Sequence, residues 1–286
     1  MQIAVASGKG GTGKTTVATS LASSLADGRT IRFLDCDVEA PNGHLFLKPD
    51  FVQQAQAVIR VPHIQENLCS RCGKCVEVCQ FHALAKVGKS MLVFPQLCHG
   101  CGSCTRNCPE GAIDEVPNPI GVLEAGIARG GIYFSRGLLT VSEPMPTPVI
   151  RQLKQWFQAP EDGVVILDSP PGASCSVVQT LHGVDYVLLV TEPTPFGLHD
   201  LKQMVGILQE MDIPSGVIIN RQNDAYLPLV DFCAENQLPV LMTIPYDRLI
   251  AEGIAQGKTL IEIYPEYSRT FQDVFEQVAL RIHEKE

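Results

Sequence analysis

The segment Gly8-Lys9-Gly10-Gly11-Thr12-Gly13-Lys14-Thr15 constrains this chain more than any other. It fits G-x-x-x-x-G-K-[ST] at every fixed position. It also follows an apolar run, Ile3–Ser7, that reads as a buried strand, and opens a helical stretch, Lys14–Ala26. Glycines let a backbone close around a phosphate so that successive N–H groups point at its oxygens. The N-terminus of the following helix adds the positive end of its dipole. Gly8, Gly10, Gly11, Thr12 and Gly13 therefore form the expected cradle. Lys14 is placed to reach β- and γ-phosphates, the Thr15 hydroxyl to ligate Mg²⁺, and Thr16 to donate toward an α-phosphate. A dinucleotide loop fits less well, because the segment lacks G-x-G-x-x-G and ends in Lys-Thr.

The rest of the chain supplies the sheet such a loop needs. Ile31–Asp35, Val164–Ser169, Tyr186–Thr191, Gly216–Asn220 and Val240–Ile244 read as further buried strands. Leu198–Met211, Leu227–Asn236 and Ser268–Glu284 read as helices. Alternation of this kind predicts an α/β P-loop NTPase fold, a mostly parallel sheet with helices on both faces. Ile132–Phe134 and Leu138–Val141 read as a hairpin around Arg136-Gly137, with Glu143–Pro148 as a proline-rich link. Hydrophobic residues make up 45% of 286, enough for a sizeable core. The 22 basic and 31 acidic residues give a net charge of −9, which disfavours nucleic acid as a partner. No secretory signal and no run of about 18 apolar residues is visible, so the expectation is a cytoplasmic protein without membrane insertion.

The alternation breaks between Arg60 and Val116, where eight of the 11 cysteines crowd from Cys69 to Cys108. They form two runs, Cys69-x2-Cys72-x2-Cys75-x3-Cys79 and Cys98-x2-Cys101-x2-Cys104-x3-Cys108-Pro109. The second resembles the bacterial two-[4Fe–4S] ferredoxin pattern in full. The first departs only at Gln80, where proline is usual. In such ferredoxins the fourth cysteine of each run ligates the other cluster. The resemblance thus implies Cys69, Cys72, Cys75 and Cys108 for one [4Fe–4S] cluster, and Cys98, Cys101, Cys104 and Cys79 for the other. Zinc is the rival, because C-x2-C pairs also build Cys₄ zinc sites. The expected organisation is nested: a P-loop domain of residues 1–59 and 117–286, and an inserted ferredoxin-like α+β domain of residues 60–116.

Lys9 gives the glycine loop a second lysine, and the loop thereby resembles the deviant Walker A of the MinD/ParA family. The nitrogenase iron protein and the Mrp scaffold ATPases belong to the same family. There the early lysine crosses a dimer interface to the partner's nucleotide, which implies the same for Lys9. Leu34-Asp35-Cys36-Asp37-Val38-Glu39-Ala40-Pro41-Asn42 resembles the first switch segment. Asp37 matches the aspartate that positions the attacking water, and Asp35 a supporting acid near the metal. Asp168-Ser169-Pro170-Pro171-Gly172 resembles Walker B and the second switch. Asp168 is implied to hold Mg²⁺ through a water and the Gly172 N–H to sense the γ-phosphate. Asn220, in Ile219-Asn220-Arg221, matches the residue that reads the adenine edge. Cys175 lies at the offset where the nitrogenase iron protein places a ligand of a bridging cluster, but that protein's second such cysteine has no match.

The resemblance implies an ATPase with bound Mg²⁺·ATP, catalysis by Lys9, Lys14, Asp37 and Asp168, and an ATP-dependent homodimer. Its redox module implies electron delivery to, or maturation of, a partner metalloprotein. One rival is an Mrp-type carrier of metal cofactors, which would need paired cysteines near the C-terminus; none follows Cys233. The other is a spatial-organising ATPase, which needs a membrane-gripping helix or a basic DNA-binding face. Phe271, Val274, Phe275, Val278 and Ile282 form one stripe of the last helix, expected to pack on the sheet.

Overall fold

The computed structural model describes residues 1–156 and 163–283. The first half contains β1 (Gln2–Ala6), α1 (Lys14–Leu25), β2 (Ile31–Asp35), α2 (Gly43–Leu47), β3 (Asp50–Ile64), α3 (Lys74–Glu77), β4 (Leu84–Val87), β5 (Ser90–Val93), α4 (Ser103–Arg106), β6 (Ile113–Ala128), β7 (Ile132–Leu139) and α5 (Pro146–Gln155). The second adds β8 (Val164–Asp168), α6 (Cys175–Leu181), β9 (Tyr186–Thr191), α7 (Pro195–Glu210), β10 (Ser215–Gln222), α8 (Leu227–Glu235), β11 (Val240–Pro245), α9 (Arg248–Ala255), α10 (Leu260–Ile263) and α11 (Tyr267–His283).

The main sheet has the order β11-β10-β9-β1-β8-β2-β7-β6-β3. From β11 to β7 every pairing is parallel; β6 and β3 add an antiparallel edge. Alternate strand residues feed two cores, one on each face. Ala4, Leu34 and Leu167 join Leu153, Leu181, Leu201 and Leu229 under α5–α8. Ile3, Phe33 and Ile166 join Leu21, Ile250, Leu260 and Phe271 under α1 and α9–α11. This is the expected parallel α/β architecture. Of the last helix's stripe, Phe271, Val274, Phe275 and Val278 are buried as expected, while Ile282 is partly buried. Glu284, the expected end of that helix, lies outside the described residues. Among the described residues no helix is long and apolar enough to cross a membrane.

The expected hairpin around Arg136-Gly137 is overturned. Ile132–Leu139 is one uninterrupted strand, pairing with β2 on one side and β6 on the other. The true turn is Arg129–Gly131, where Gly130 and Gly131 take φ of 74° and 75°. Gly137 sits mid-strand because a Cβ there would lie 2.7 Å from Val38 Cγ1 and 2.8 Å from Val149 Cγ1. The expected proline-rich link also yields: Pro146 occupies the first turn of α5, where its missing N–H costs nothing.

β3 and β6 form a long ribbon, paired from Asp50↔Ile127 to Ile64↔Ile113. It runs unbroken through residues 60 and 116 and carries residues 65–112 beyond the edge of the sheet. That segment holds α3, α4 and the separate two-stranded sheet of β4 and β5.

Candidate functional site

The glycine loop turns between β1 and α1 as its sequence requires. Gly11 and Gly13 hold φ of 78° and 97°, a left-handed geometry that side chains resist. Gly8 passes so close to α7 that a Cβ would lie 2.6 Å from Asp200 O. Thr12, Lys14 and Thr16 are buried, and the first turn of α1 carries no acidic residue to oppose an anion. Lys14, Thr15 and Thr16 line a cleft of about 400 Å³ with Asp37, Pro171 and Asn220.

Asp35 and Asp168 end neighbouring strands in register, and both are fully buried. The Thr15 hydroxyl donates to Asp168 Oδ2 at 2.6 Å, and Gly43 N–H donates to Asp35 Oδ2 at 2.8 Å. Each carboxylate's Oδ1 is buried without a partner among the described residues. Burial, reinforced by the repulsion of Asp168, pushes the Asp35 carboxyl well up. Burial likewise pushes Asp168 up, to about 7, against the pull of Lys14 and the Thr15 hydroxyl. Asp37, at the cleft wall, is raised by burial and lowered less by Lys14. Two desolvated carboxylates with spare lone pairs beside a hydroxyl make a donor set suited to a hard divalent cation.

Several sequence-predicted groups already have partners. Gly172 N–H donates to Ser7 O at 3.0 Å. Lys9 Nζ lies 3.2 Å from Glu192 Oε2, and Arg221 holds the other oxygen of Glu192 at 2.6 Å. Asn220 Nδ2 donates to Thr12 O at 2.7 Å, while its Oδ1 accepts from Arg221 N–H at 2.9 Å. Asn220 thus braces the glycine loop from behind, with one amide proton to spare.

The CobQ/CobB/MinD/ParA nucleotide-binding domain matches residues 3–261. The chain belongs to that family. MJ0579, an uncharacterized protein of Methanocaldococcus jannaschii, is 30% identical over 264 residues, covering 92% of each chain. The septum site-determining protein MinD of Pyrococcus horikoshii, complexed with Mg-ADP, superposes with a TM-score of 0.58 at 19% identity, over 97% of this chain and 95% of that one. A Caenorhabditis briggsae homologue of the cytosolic Fe–S cluster assembly factor NUBP1 is 26% identical over 157 residues, covering 46% of this chain and 50% of its own.

In this MinD/ParA-family chain the eight clustered cysteines divide between two cavities. One is lined by Cys69, Cys72, Cys75 and Cys108, together with Ile64 and Ile113. The other is lined by Cys79, Cys98, Cys101 and Cys104, together with Arg60, Pro62 and Glu115. Ribbon register puts the second nearer the sheet. All eight are free thiols, Cys72 and Cys101 the exposed pair. Backbone N–H groups of Ala83, Gly100 and Ala112 donate to the sulfurs of Cys79, Cys98 and Cys108 at 3.3, 3.4 and 3.3 Å. Burial pushes the Cys75, Cys98 and Cys104 thiols up. Among the described residues no group of three or more His, Cys, Asp or Glu is placed to hold a single metal ion. Cys175 is exposed at the start of α6, and Cys233 is buried.

Sequence reasoning missed the far wall of the nucleotide cleft, built by Phe46 of α2 and Ile250, Ala251 and Ile254 of α9. For α9 a signal existed: Asp247 caps it, its Oδ1 accepting from Leu249 and Ile250 N–H at 2.6 and 3.4 Å. Phe46 has no comparable marker.

Proposed function

We propose that this chain is an ATP-hydrolysing iron–sulfur protein that dimerises around ATP and couples its nucleotide state to electron transfer to, or maturation of, a partner metalloprotein. The observation that carries the reading is the division of eight cysteines into two four-thiol cavities on a ribbon continuous with a P-loop sheet. Each set draws three cysteines from one run and one from the other, the crossing that two-cluster ferredoxins use. Thiols that surround a hollow suit a four-iron cubane better than a single zinc, whose four sulfurs must meet at one point. The N–H groups of Ala83, Gly100 and Ala112 already point at three of the sulfurs, those of Cys79, Cys98 and Cys108, as they would in a loaded site. Thiols raised by burial would release protons on loading. When bound, such clusters supply one-electron transfer at low potential.

Near the middle of the sheet, after β1, Lys14 and the loop N–H groups would hold the phosphates, with Thr15 and Asp168 holding Mg²⁺. Asp37, partly shielded and opposed by Lys14, would orient the attacking water, and Lys9 would cross to the partner's nucleotide. The likeness to the NUBP1 homologue favours a second reading, a carrier that assembles clusters for other proteins. Anaerobic purification with iron and sulfide counts, then EPR of the reduced protein with and without Mg·ATP, tests the first. About four iron atoms per chain or fewer sinks the two-cluster assignment. Cluster spectra indifferent to nucleotide remove the coupling, and transfer of intact clusters to an acceptor lacking them establishes the carrier reading instead.

A further inference from the structure

The ribbon leaves the sheet at one rung. β7 supports β6 as far as Gly121, whose partner is Leu139. On the opposite side the β3–β6 register slips between Ala57↔Gly121 and Val58↔Pro119, so Ile120 is an extra residue. Such a bulge bends and overtwists a strand pair. Loss of the third strand and the bend therefore coincide, and Val58 is the first residue of an arm that carries the cysteine module.

Besides its pairing with β6, Val58 is held there by a side chain. Its N–H donates to Gln152 Oε1 at 3.1 Å, and Gln152 Nε2 donates to Val58 O at 3.0 Å. The carboxamide replaces one rung of a ladder. Nε2 also donates to Pro148 O at 3.0 Å, one turn earlier on α5, which fixes its direction. α5 is tied in turn to the helix that follows the second switch segment and to the residue after Asp37 in the first. Lys154 Nζ donates to Thr180 O at 2.8 Å and His182 O at 2.6 Å, at the end of α6, the helix that follows Asp168–Gly172. Val149 meets Val38, the neighbour of Asp37, across the bare Cα of Gly137. Leu139 N–H donates to Val38 O at 2.8 Å, joining the first switch to the rung where the arm begins.

We infer that Gln152 is a positioning residue that sets the hinge of the cysteine-bearing arm according to the nucleotide held between the switch segments. Within two turns, α5 meets the first switch, the helix of the second and the bulged rung of the ribbon. A small shift of α5 on its switch contacts is magnified along the free arm, because the hinge lies at its base. This rests on the proposed function, in which the switch segments respond to nucleotide.

Hydrogen–deuterium exchange on the cluster-loaded full chain tests it, with Mg·ADP and with a hydrolysis-resistant ATP analogue. The wild type is compared with Gln152→Ala and Gln152→Glu. The glutamate keeps the length and the acceptor but cannot donate to Val58 O, separating the lost bond from lost packing. Gln152 lies outside the nucleotide cleft, so both variants still bind the analogue, with affinity changed by no more than the coupling itself. In the wild type, residues 55–64 and 113–121 exchange at rates differing about fivefold between the two nucleotides, the effect of one hydrogen bond made or broken. In both variants they exchange faster and equally with either nucleotide. A difference that survives in the variants overturns the inference, as does a wild type that binds analogue and iron but shows none. A wild type that binds neither overturns the proposed function and this inference with it.

Discussion

Glu192 holds two cations within one chain, Lys9 at 3.2 Å and Arg221 at 2.6 Å. If Lys9 crosses to a partner's nucleotide, it must first leave Glu192. Glu192→Gln keeps the shape of the side chain and removes the charge, so the departure becomes easier. The Lys9 side chain is 36% exposed, which leaves the pair screened by water. Such pairs are worth ~0.2–1 kcal/mol. A symmetric dimer breaks two of them, so the variant recovers ~0.4–2 kcal/mol, equivalent to an ATP-dependent dimer about twofold to thirtyfold tighter. Sedimentation at saturating hydrolysis-resistant analogue reads this directly, and the gain shrinks as salt is raised. Arg221→Ala should move the dimer constant the other way, because Glu192 then holds Lys9 alone. A Glu192→Gln dimer that is unchanged or weaker refutes the exchange, and a Lys9→Ala dimer as tight as wild type refutes the crossing itself.

Asp168 gives a pH test. Its carboxyl is raised by burial from 3.8 to about 7, so without metal and nucleotide it stabilises the fold in acid and loses that contribution as pH rises toward 7. Urea melts in chelator should lose about 2 kcal/mol between pH 5 and 7 on its account, and Asp168→Asn should flatten the profile; parallel profiles contradict the assignment. Gly137→Ala forces a methyl to 2.7 Å from Val38 and 2.8 Å from Val149. It should cost ~1–3 kcal/mol in a thermal melt and lower kcat more than KM by displacing the neighbour of Asp37. Cys79→Ser should remove about half the iron and abolish the same EPR signal as Cys101→Ser, leaving the one that Cys72→Ser abolishes. If Cys79→Ser instead matches Cys72→Ser, the crossed ligand sets are wrong.

The parts legible in the sequence are those whose physics is local. Tyr186–Thr191 is buried on every residue, and its near-continuous apolar run marked its full length; Ile31–Asp35 is buried throughout as well, although Arg32 interrupts its apolar residues. Gly11 and Gly13 announce positive φ, and the cysteine spacing announces itself. What escaped depends on distant neighbours. Gly137 looks like a turn residue, and only the approach of Val38 and Val149 explains it inside a strand. Pro146 and Pro148 look like a linker, because a proline that opens a helix reads the same as one that ends it. β3 begins with five exposed residues, which carry no apolar alternation; its pairing with β6 alone makes them a strand. Asn220 was legible as a polar residue after a strand, whereas its bond to Thr12 O spans 208 residues of sequence.

The polar groups around the nucleotide cleft fall into two kinds, and the division bears on how binding becomes switching. Asp35 Oδ1, Asp168 Oδ1 and Thr12 Oγ1 are buried with no partner among the described residues, so any cation or phosphate that reaches them relieves a desolvation cost the fold already bears. Those groups contribute affinity and need no rearrangement. Lys9 and the Gly172 N–H instead have protein partners, Glu192 and Ser7 O, which a ligand must displace. Exchange of one partner for another adds little net free energy. It does move the segment attached to each group, and Gly172 leads through α6 to Lys154 of α5. Affinity from the unpaired set and motion from the paired set let one ligand both bind tightly and reposition the helix that Gln152 ties to the arm.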